Sequence, residues 1–155
     1  MINFIPEIRT FFIAMTPIGE LRAAIPVALK VYGMPVWSAF FFSVMGNLLP
    51  VVFLLLFLEP VSEYLRERFL VFEKFFSWLF EKTRKKHQKK FQRWKKFALV
   101  ILVAIPLPFT GAWTGSICAF LFGIHFKHAF PLILLGVIIA GVIVTLTTQG
   151  LFKFI

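Results

Sequence analysis

The stretch VWSAFFFSVMGNLLPVVFLLLFL, residues 36–58, contains 23 residues and no charged side chain. As an α-helix it rises about 34 Å, enough to cross a hydrocarbon core of about 30 Å with modest tilt. Its polar content is limited to two serines and Asn47, and Pro50 predicts a kink whose freed carbonyl needs another partner. The stretch therefore predicts a transmembrane helix.

The composition of the whole chain also favours a membrane environment. The 155 residues are 59% hydrophobic, with a mean hydropathy of +0.87 and 22 phenylalanines. One soluble core of this size cannot bury so many large apolar side chains. A second span is predicted from about Pro131 to Thr148. We expect a single all-α integral membrane domain over residues 1–155, a multi-pass protein of the cell membrane.

A basic segment, residues 59–96, lies between the two spans. It carries twelve of the 17 lysines and arginines, and its apolar residues recur on one helical face that includes Trp78. This pattern predicts an amphipathic helix in the headgroup region on the cytoplasmic side, with a water-exposed helical hairpin as the alternative. Nucleic-acid binding is not expected, because only the charge supports it. The side chains expected to contact anionic headgroups are Lys82, Arg84, Lys85, Lys86, Lys89, Lys90, Arg93, Lys95 and Lys96.

Two further apolar segments, residues 5–31 and 97–122, are interrupted by helix-breaking residues. The first contains TPIGE at 16–20, here called the first elbow, and the second contains PLPFTG at 106–111, the second elbow. Proline removes a backbone donor and disfavours helix for the preceding residue, so each segment predicts two short helices around a non-helical elbow. Halves of about ten residues are too short to span, which favours re-entrant hairpins over plain spans.

The two halves of the chain resemble each other. Matched residues, 90 or 91 positions apart, are Pro17 with Pro108, Gly33 with Gly123, and Gly46 with Gly136. The spacing predicts an inverted internal repeat, about 5–58 and about 97–149, joined by the basic segment. Chance alignment of glycine and proline in apolar sequence is the alternative. Re-entrant hairpins place both termini outside the cytoplasm and crossing segments place both inside, and too few charges flank the segments to decide.

Glu20 is the most informative single residue, because an ionisable group in an apolar segment costs about 2.5–3.5 kcal/mol at the centre of a membrane helix. One interpretation is that Glu20 binds and releases a proton or a cation in a protected cavity. The other is a static ion pair with Arg22 that pins the elbow. The two side chains point apart on a continuous helix, but a non-helical elbow allows them to meet.

The second elbow carries polar but uncharged residues. Thr110 is predicted to cap the following helix, whose N-terminus attracts an anion or a carboxylate such as Glu20. Gly111 begins a G-x-x-x-G spacing that favours close packing of membrane helices. We therefore expect the elbows to meet, with Thr110, Gly111, Trp113 and the span residue Asn47 joining Glu20 and Arg22 in a site for substrate or protons.

No recognisable catalytic or metal motif accompanies these residues. His125 and His128 are two potential ligands without a third, so we expect no metal, no cofactor and no enzymatic activity. Cys118 stands alone and cannot form an intrachain disulfide.

The strings PIGELRAAIP at 17–26, GNLLP at 46–50 and PLPFTGAW at 106–113 resemble the small multi-drug export protein family. That family is distantly similar to the DedA and VTT membrane proteins. The resemblance implies paired re-entrant hairpins and assigns Glu20, Arg22, Thr110, Gly111 and Trp113 to the elbows. The chain departs from the DedA pattern because its second elbow has no charged residue, which puts in doubt a mechanism that needs an acid and a base from opposite repeats.

The combined expectation is a small transporter that exports amphipathic or cationic molecules, coupled to protons through Glu20. The alternatives are a DedA/VTT-like lipid scramblase and a non-transporting scaffold that binds anionic lipid through its basic segment. A homo-oligomer is expected, because so small a perimeter can hardly enclose a pathway.

Overall fold

A computed structural model describes residues 5–84, 89–106 and 110–151. The described residues form α-helices and contain no strand. The helices are α1 (Ile5–Met15), α2 (Glu20–Lys30), α3 (Val36–Arg68), α4 (Leu70–Arg84), α5 (Lys89–Ala104), α6 (Ala112–Leu121) and α7 (Phe126–Leu151).

Helices α3 and α7 contain the two candidate membrane spans, Val36–Tyr64 and Phe126–Gly150. Only 39% and 44% of their most apolar windows are buried inside the protein, so most of each window faces outward. The outward faces carry large apolar side chains, more than the surface of a soluble monomer usually exposes to water. On α3 and α7 they include Phe41, Met45, Phe53, Phe57, Leu135, Ile139 and Leu146. The described residues are therefore helical, and two of the helices are long and apolar enough to cross a membrane.

Both interrupted segments break at the two elbows, where their prolines predict the end of a helix. The first divides into α1 and α2 around residues 16–19, and the second divides between the end of α5 at Ala104 and the start of α6 at Ala112. Helix α1 packs against α2, and α5 packs against α6. With 10 or 11 residues each, α1, α2 and α6 are too short to cross a bilayer as single rods.

The basic segment does not form the single helix expected over residues 59–96. Its first ten residues extend α3 to Arg68, the helix breaks at Phe69, and α5 runs from Lys89 through Lys96 into the apolar segment. Helix α5 continues through the change in polarity at Lys96 because no glycine or proline lies between Lys89 and Ala104, whereas no such residue accounts for the break at Phe69. The contact of the Arg68 guanidinium with the Tyr64 ring, 5.3 Å to the centroid, supports the last turn of α3.

Two glycines bring helices close together in corresponding ways. A Cβ on Gly46 of α3 would collide with the Phe11 carbonyl of α1 and lie 3.0 Å from the Ala14 Cβ. A Cβ on Gly136 of α7 would lie 2.6 Å from the Val103 Cβ and 3.1 Å from the Val100 carbonyl oxygen of α5. The backbones of α1 and α3, and those of α5 and α7, approach closely only because these positions lack side chains.

The remaining helix contacts join the two halves of the chain. Helix α3 packs against α6 and α7, and α2 packs against α7. The main core cluster correspondingly draws on both halves, with Leu21 and Ile25 of α2, Val51 of α3, and Ile133 and Val137 of α7. This packing places the N-terminus of α6 beside the start of α2.

Candidate functional site

The first elbow is a compact turn that ends on a buried carboxylate. The Thr16 hydroxyl donates to the Ile13 carbonyl (2.8 Å) and accepts from the Gly19 N–H (3.2 Å), which closes the end of α1. Glu20 then begins α2 with a φ of 45°, and its side chain is only 8% exposed. A left-handed backbone costs a non-glycine residue about 1–2 kcal/mol, so the surrounding contacts must hold Glu20 there.

The Glu20 carboxylate lies at the N-terminus of α6. Its Oε1 accepts from the Trp113 backbone N–H (3.4 Å), and it also interacts with the Ala112 N–H. Gly111 supplies the space, because a Cβ at this position would collide with the Glu20 carboxylate. Glu20 therefore accepts hydrogen bonds from N–H groups that the first turn of α6 leaves without a partner. Its negative charge also lies at the positive end of the α6 dipole.

Thr110 does not cap α6, so that prediction was wrong. Gly111 occupies the N-cap position, with a φ of 152° that favours glycine and no side-chain capping bond. The Thr110 hydroxyl instead donates to the Ile105 carbonyl (2.9 Å) at the end of α5. The reason is that Glu20 already occupies the α6 terminus, whereas the broken end of α5 leaves a carbonyl that needs a donor.

Arg22 joins the two elbows. Its Nη2 lies 3.9 Å from the Glu20 Oε2 and donates to the Thr110 hydroxyl at 3.3 Å. The Arg22 side chain is 24% exposed, so solvent partly screens its ion pair with Glu20. The pair fits both interpretations of Glu20, because the same guanidinium can pin the elbow or serve as a counter-ion that yields to an incoming cation.

Trp113, in the first turn of α6 directly after the second elbow, completes the junction. Besides its backbone bond to Glu20, its indole Nε1 donates to the Met15 carbonyl (3.3 Å) at the last residue of α1. One residue at the start of α6 thus contacts both Met15, just before the first elbow, and Glu20, at its end. Met15 was not predicted, and a backbone acceptor leaves no signal in a sequence.

The structure brings Glu20, Arg22, Thr110, Gly111 and Trp113 together. We name this group the elbow junction. Its members come from positions about 90 residues apart. The meeting of the two elbows agrees with the expectation from the sequence.

Asn47 lies on α3, the helix that packs against both α2 and α6. It is 1% exposed, and its Oδ1 has no hydrogen-bond partner among the described residues. Ser43, one turn earlier on the same face, is fully buried, and within the described part of the chain its Oγ has no partner either. Ser43 was not predicted, although its spacing of four residues from Asn47 places it on the same helical face.

Replacing Asn47 with leucine is expected to raise the unfolding free energy of the detergent-solubilised protein by up to about 1 kcal/mol. The measurement is a slightly higher melting temperature. The reason is that leucine removes a buried acceptor without a partner and keeps the branching at Cγ. Ser43→Ala removes the other buried oxygen without a partner on the same face and is expected to act in the same direction. A clear fall in melting temperature would show that the Asn47 amide makes a stabilising hydrogen bond.

The predicted headgroup residues fall into different environments. Lys85 and Lys86 lie outside the described residues, as do the side chains of Lys82, Arg84, Lys89 and Lys90. Arg93 is exposed and Lys96 is partly exposed. Lys95 is only 4% exposed: its ammonium donates to the Phe122 carbonyl (3.4 Å) and lies 5.8 Å from the Phe122 ring centroid. Its charge therefore acts at the C-terminal end of α6, where the helix dipole favours a cation.

Among residues 5–84, 89–106 and 110–151, no group of three or more histidine, cysteine, aspartate or glutamate side chains is placed to hold a metal ion. The chemistry available at the elbow junction is that of one carboxylate, one guanidinium and helix-terminal N–H groups. Such a set can bind a proton, a cation or an anion.

Comparison with known proteins supplies one match. Residues 20–143 match the sequence model of the family described as "Putative small multi-drug export protein". No curated protein and no solved structure matches the chain significantly. The matched range contains the whole elbow junction and both spans except for the last turns of α7. The chain belongs to the small multi-drug export protein family.

Proposed function

We propose that this protein exports amphipathic or cationic small molecules across the cell membrane, and that Glu20 binds the proton or the cationic substrate. The observation that carries the proposal is a buried carboxylate at the junction of two interrupted membrane segments. A charge in this position is costly in an apolar environment, and transporters place such groups at interrupted helices. The strained backbone at Glu20 adds support, because strain of this kind concentrates at functional sites.

We further propose an inverted internal repeat in which α1–α3 correspond to α5–α7. The glycine contacts support this assignment. Gly46 meets Phe11 and Ala14, Gly136 meets Val100 and Val103, and each pair of contact residues is offset by 89 positions. The turns after α2 and α6 also correspond, since Gly33 has a φ of 60° and Gly123 has a φ of 67°.

The same correspondence places the elbow junction, on this proposal, near the axis that relates the two repeats. Glu20 and Gly111 are 91 positions apart, the offset of Pro17 and Pro108, so they are equivalent residues of the two repeats. Equivalent residues that contact each other lie close to the axis relating them, and Glu20 contacts Gly111. On this proposal the single carboxylate lies near the pseudo-twofold axis at membrane depth, with both interrupted segments re-entrant.

In the proposed mechanism, the Glu20 carboxylate exchanges partners. In this structure it is held by Arg22 and the N-terminus of α6. A proton or an organic cation would neutralise it, weaken its attraction to these donors and allow the elbows to separate. Movement of one repeat against the other would then expose Glu20 to the opposite side. Asn47 is proposed to supply a polar contact from α3 during this exchange.

The remaining proposals concern assembly and lipid. We propose a homo-oligomer, because the described part of one copy offers only two long spans to enclose a pathway. The exposed basic side chains, such as Arg93, are proposed to contact anionic headgroups on the cytoplasmic side. A distant relationship to the DedA and VTT proteins also stays a proposal, resting on the predicted hairpins.

A scaffold is the second candidate function, favoured by the completeness of the elbow junction. Glu20 has donors from Arg22 and α6, so it can act as a permanent pin that fixes the bundle. In a structural role Glu20 needs only its hydrogen bonds. In a transporter the Glu20 carboxylate must also gain and lose its charge. Replacing the acid with its amide separates these requirements.

The test is uptake of a fluorescent amphipathic cation into proteoliposomes under an imposed proton gradient. Glu20→Gln is expected to lower transport at least about tenfold, because the amide cannot release a proton or pair with a cation. Its melting temperature should fall only modestly, since the amide oxygen can still accept from α6. Glu63→Gln, at an exposed carboxylate of α3, is the matched control and should transport normally. Equal transport by the native chain and Glu20→Gln would contradict the proposal.

A further inference from the structure

Three buried side-chain oxygens on α1 and α3 make no hydrogen bond within the described ranges of the chain. They are the Glu7 Oε2 of α1 and the Ser43 Oγ and Asn47 Oδ1 of α3. Ser43 and Asn47 are 0% and 1% exposed, and α1 packs directly against α3. A buried polar atom without a partner is costly, and an ion that it binds is one physical reason for its presence.

The Ser43 hydroxyl departs from the usual arrangement of a hydroxyl inside a helix. Four other buried residues, Thr10, Ser116, Thr145 and Thr148, each donate to the carbonyl four residues earlier in their own helix. That bond satisfies the hydroxyl without any neighbour. The Ser43 Oγ makes no such bond, so it stays available to a ligand.

The second half of the chain indicates that packing at these positions needs no polar group. At the offset of 90 positions between the proposed repeats, Ser43 and Asn47 correspond to Ile133 and Val137. These two apolar side chains are 0% and 1% exposed, as Ser43 and Asn47 are. Apolar residues therefore fill the equivalent buried positions of α7, and packing does not account for the oxygens on α3.

The α3 oxygens are close enough to share one ligand. Residues four apart on a helix have Cβ atoms about 5–6 Å from each other, which applies to Ser43 and Asn47. The Gly46 carbonyl, between them in the chain, loses its usual donor because Pro50 has no N–H group. One turn of α3 therefore offers a hydroxyl oxygen, an amide oxygen and a carbonyl oxygen to a small ion.

Glu7 adds a negative charge at about the same level. Helices α1 and α3 each pack against α2 and are joined to it by four or five residues, so both are antiparallel to α2 and parallel to each other. Glu7 lies four residues before Phe11, whose carbonyl meets Gly46, and Ser43 lies three residues before Gly46. Glu7 and Ser43 thus both lie about one turn before this contact.

We propose that these oxygens form a binding site for a small monovalent cation, Na⁺, between α1 and α3. Ser43, Gly46 and Asn47 supply neutral oxygens, and Glu7 supplies the counter-charge. A single carboxylate balances a single positive charge, which favours a monovalent over a divalent ion. Hard cations prefer oxygen ligands, and transporters coordinate Na⁺ with the free carbonyls of broken helices.

The role of the ion rests on the proposed export function. The site adjoins the elbow junction, because Gly46 contacts Ala14 and the next residue, Met15, accepts from the Trp113 indole. A bound ion would hold α1 against α3 and thereby favour one arrangement of the first elbow. A Na⁺ gradient would then drive the exchange of partners at Glu20. The ion is a coupling ion that exchanges with solution, distinct from a resident cofactor.

The test is equilibrium binding of radioactive sodium to the purified full-length chain in a non-ionic detergent, measured by scintillation proximity in choline chloride. The native chain should bind Na⁺ saturably. Ser43→Ala, Asn47→Leu and Glu7→Gln are each expected to weaken binding at least about tenfold, because each removes one of few ligands. The first two variants should fold, since they remove buried oxygens without a partner.

Ser116→Ala is the matched control. Ser116 is as buried as Ser43, but its hydroxyl already donates to the Ala112 carbonyl, so this variant should bind Na⁺ as the native chain does. Na⁺ should also raise the melting temperature of the native chain above its value in choline chloride, and should not do so in Asn47→Leu. The gain in stability expected for Asn47→Leu therefore refers to buffer without Na⁺.

The absence of saturable binding to the native chain would overturn the proposal, as would equal losses in Ser43→Ala and Ser116→Ala. An equal rise in melting temperature in sodium, potassium and choline chloride would also contradict it, because such a rise reports ionic strength alone. Equilibrium binding requires no transport, and Glu20→Gln should bind Na⁺ normally. Failure of the Na⁺ site is therefore distinguishable from failure of the export function in the proteoliposome assay.

Discussion

Gly111→Ala is expected to lower the unfolding free energy by about 2–6 kcal/mol, seen as a large fall in melting temperature in detergent. Two costs add together. The backbone at Gly111, with a φ of 152°, disfavours any side chain, at about 1–3 kcal/mol. In addition, the new Cβ would occupy the space of the Glu20 carboxylate, and overpacking costs about 1–3 kcal/mol.

Two glycines of the same chain separate these costs. Gly33 also has a positive φ, 60°, but a Cβ added there would meet no atom within 4 Å, so Gly33→Ala reports backbone strain alone. Gly150 has neither constraint and serves as the neutral control. We expect melting temperatures in the order Gly150→Ala, Gly33→Ala, Gly111→Ala, from highest to lowest.

A double-mutant cycle with Glu20→Ala tests the contact itself. Removing the carboxylate frees the space that the Gly111→Ala methyl group needs, so the double variant should lose less than the sum of the two single losses. A coupling of about 1–3 kcal/mol is expected for residues in direct contact. Additive losses would show that the two elbows do not meet at these residues.

Gly46→Val is expected to disrupt folding, with a loss of more than about 3 kcal/mol or failure to accumulate as a monodisperse protein. The Cβ at this position would collide with the backbone carbonyl of Phe11, and a backbone atom cannot rotate away as a side chain can. Helices α1 and α3 must therefore separate, which removes close packing along their contact. Size-exclusion chromatography and thermal melting in detergent measure the outcome.

Gly136→Val is the matched variant in the second half of the chain. There the new Cβ meets the Val103 side chain at 2.6 Å and the Val100 carbonyl oxygen at 3.1 Å. If the two halves are equivalent repeats, both valine variants should be severely destabilised, whereas Gly150→Val should not. A normal melting temperature for Gly46→Val would contradict the close approach of α1 and α3. The alanine variants provide a milder series if the valine variants do not fold.

Local sequence features were sufficient for the elements of the fold. An uncharged run long enough to cross a bilayer predicts a span, and the dense clusters of proline and glycine at 16–20 and 106–111 predict breaks, whereas single prolines lie inside α2, α3 and α7. The spans within α3 and α7 and the two elbows followed from these properties. The extension of α3 to Arg68 and the start of α5 in the basic segment did not, because a change in polarity carries no information on helix ends.

The candidate site residues were selected from the sequence by type, and their partners were decided by the tertiary structure. Glu20 stood out because charge is rare in apolar segments, yet its bond to the Trp113 N–H joins residues 93 positions apart. Thr110 had the right chemistry for a cap, but packing of α2 against the second half placed Glu20 at the α6 terminus instead. In the sequence Lys95 resembles its basic neighbours, whereas in the structure it is buried against Phe122. Hydrophobic length and backbone breaking are local properties that a sequence carries, whereas the pairing of buried charges depends on which helices meet, and only the folded chain decides that.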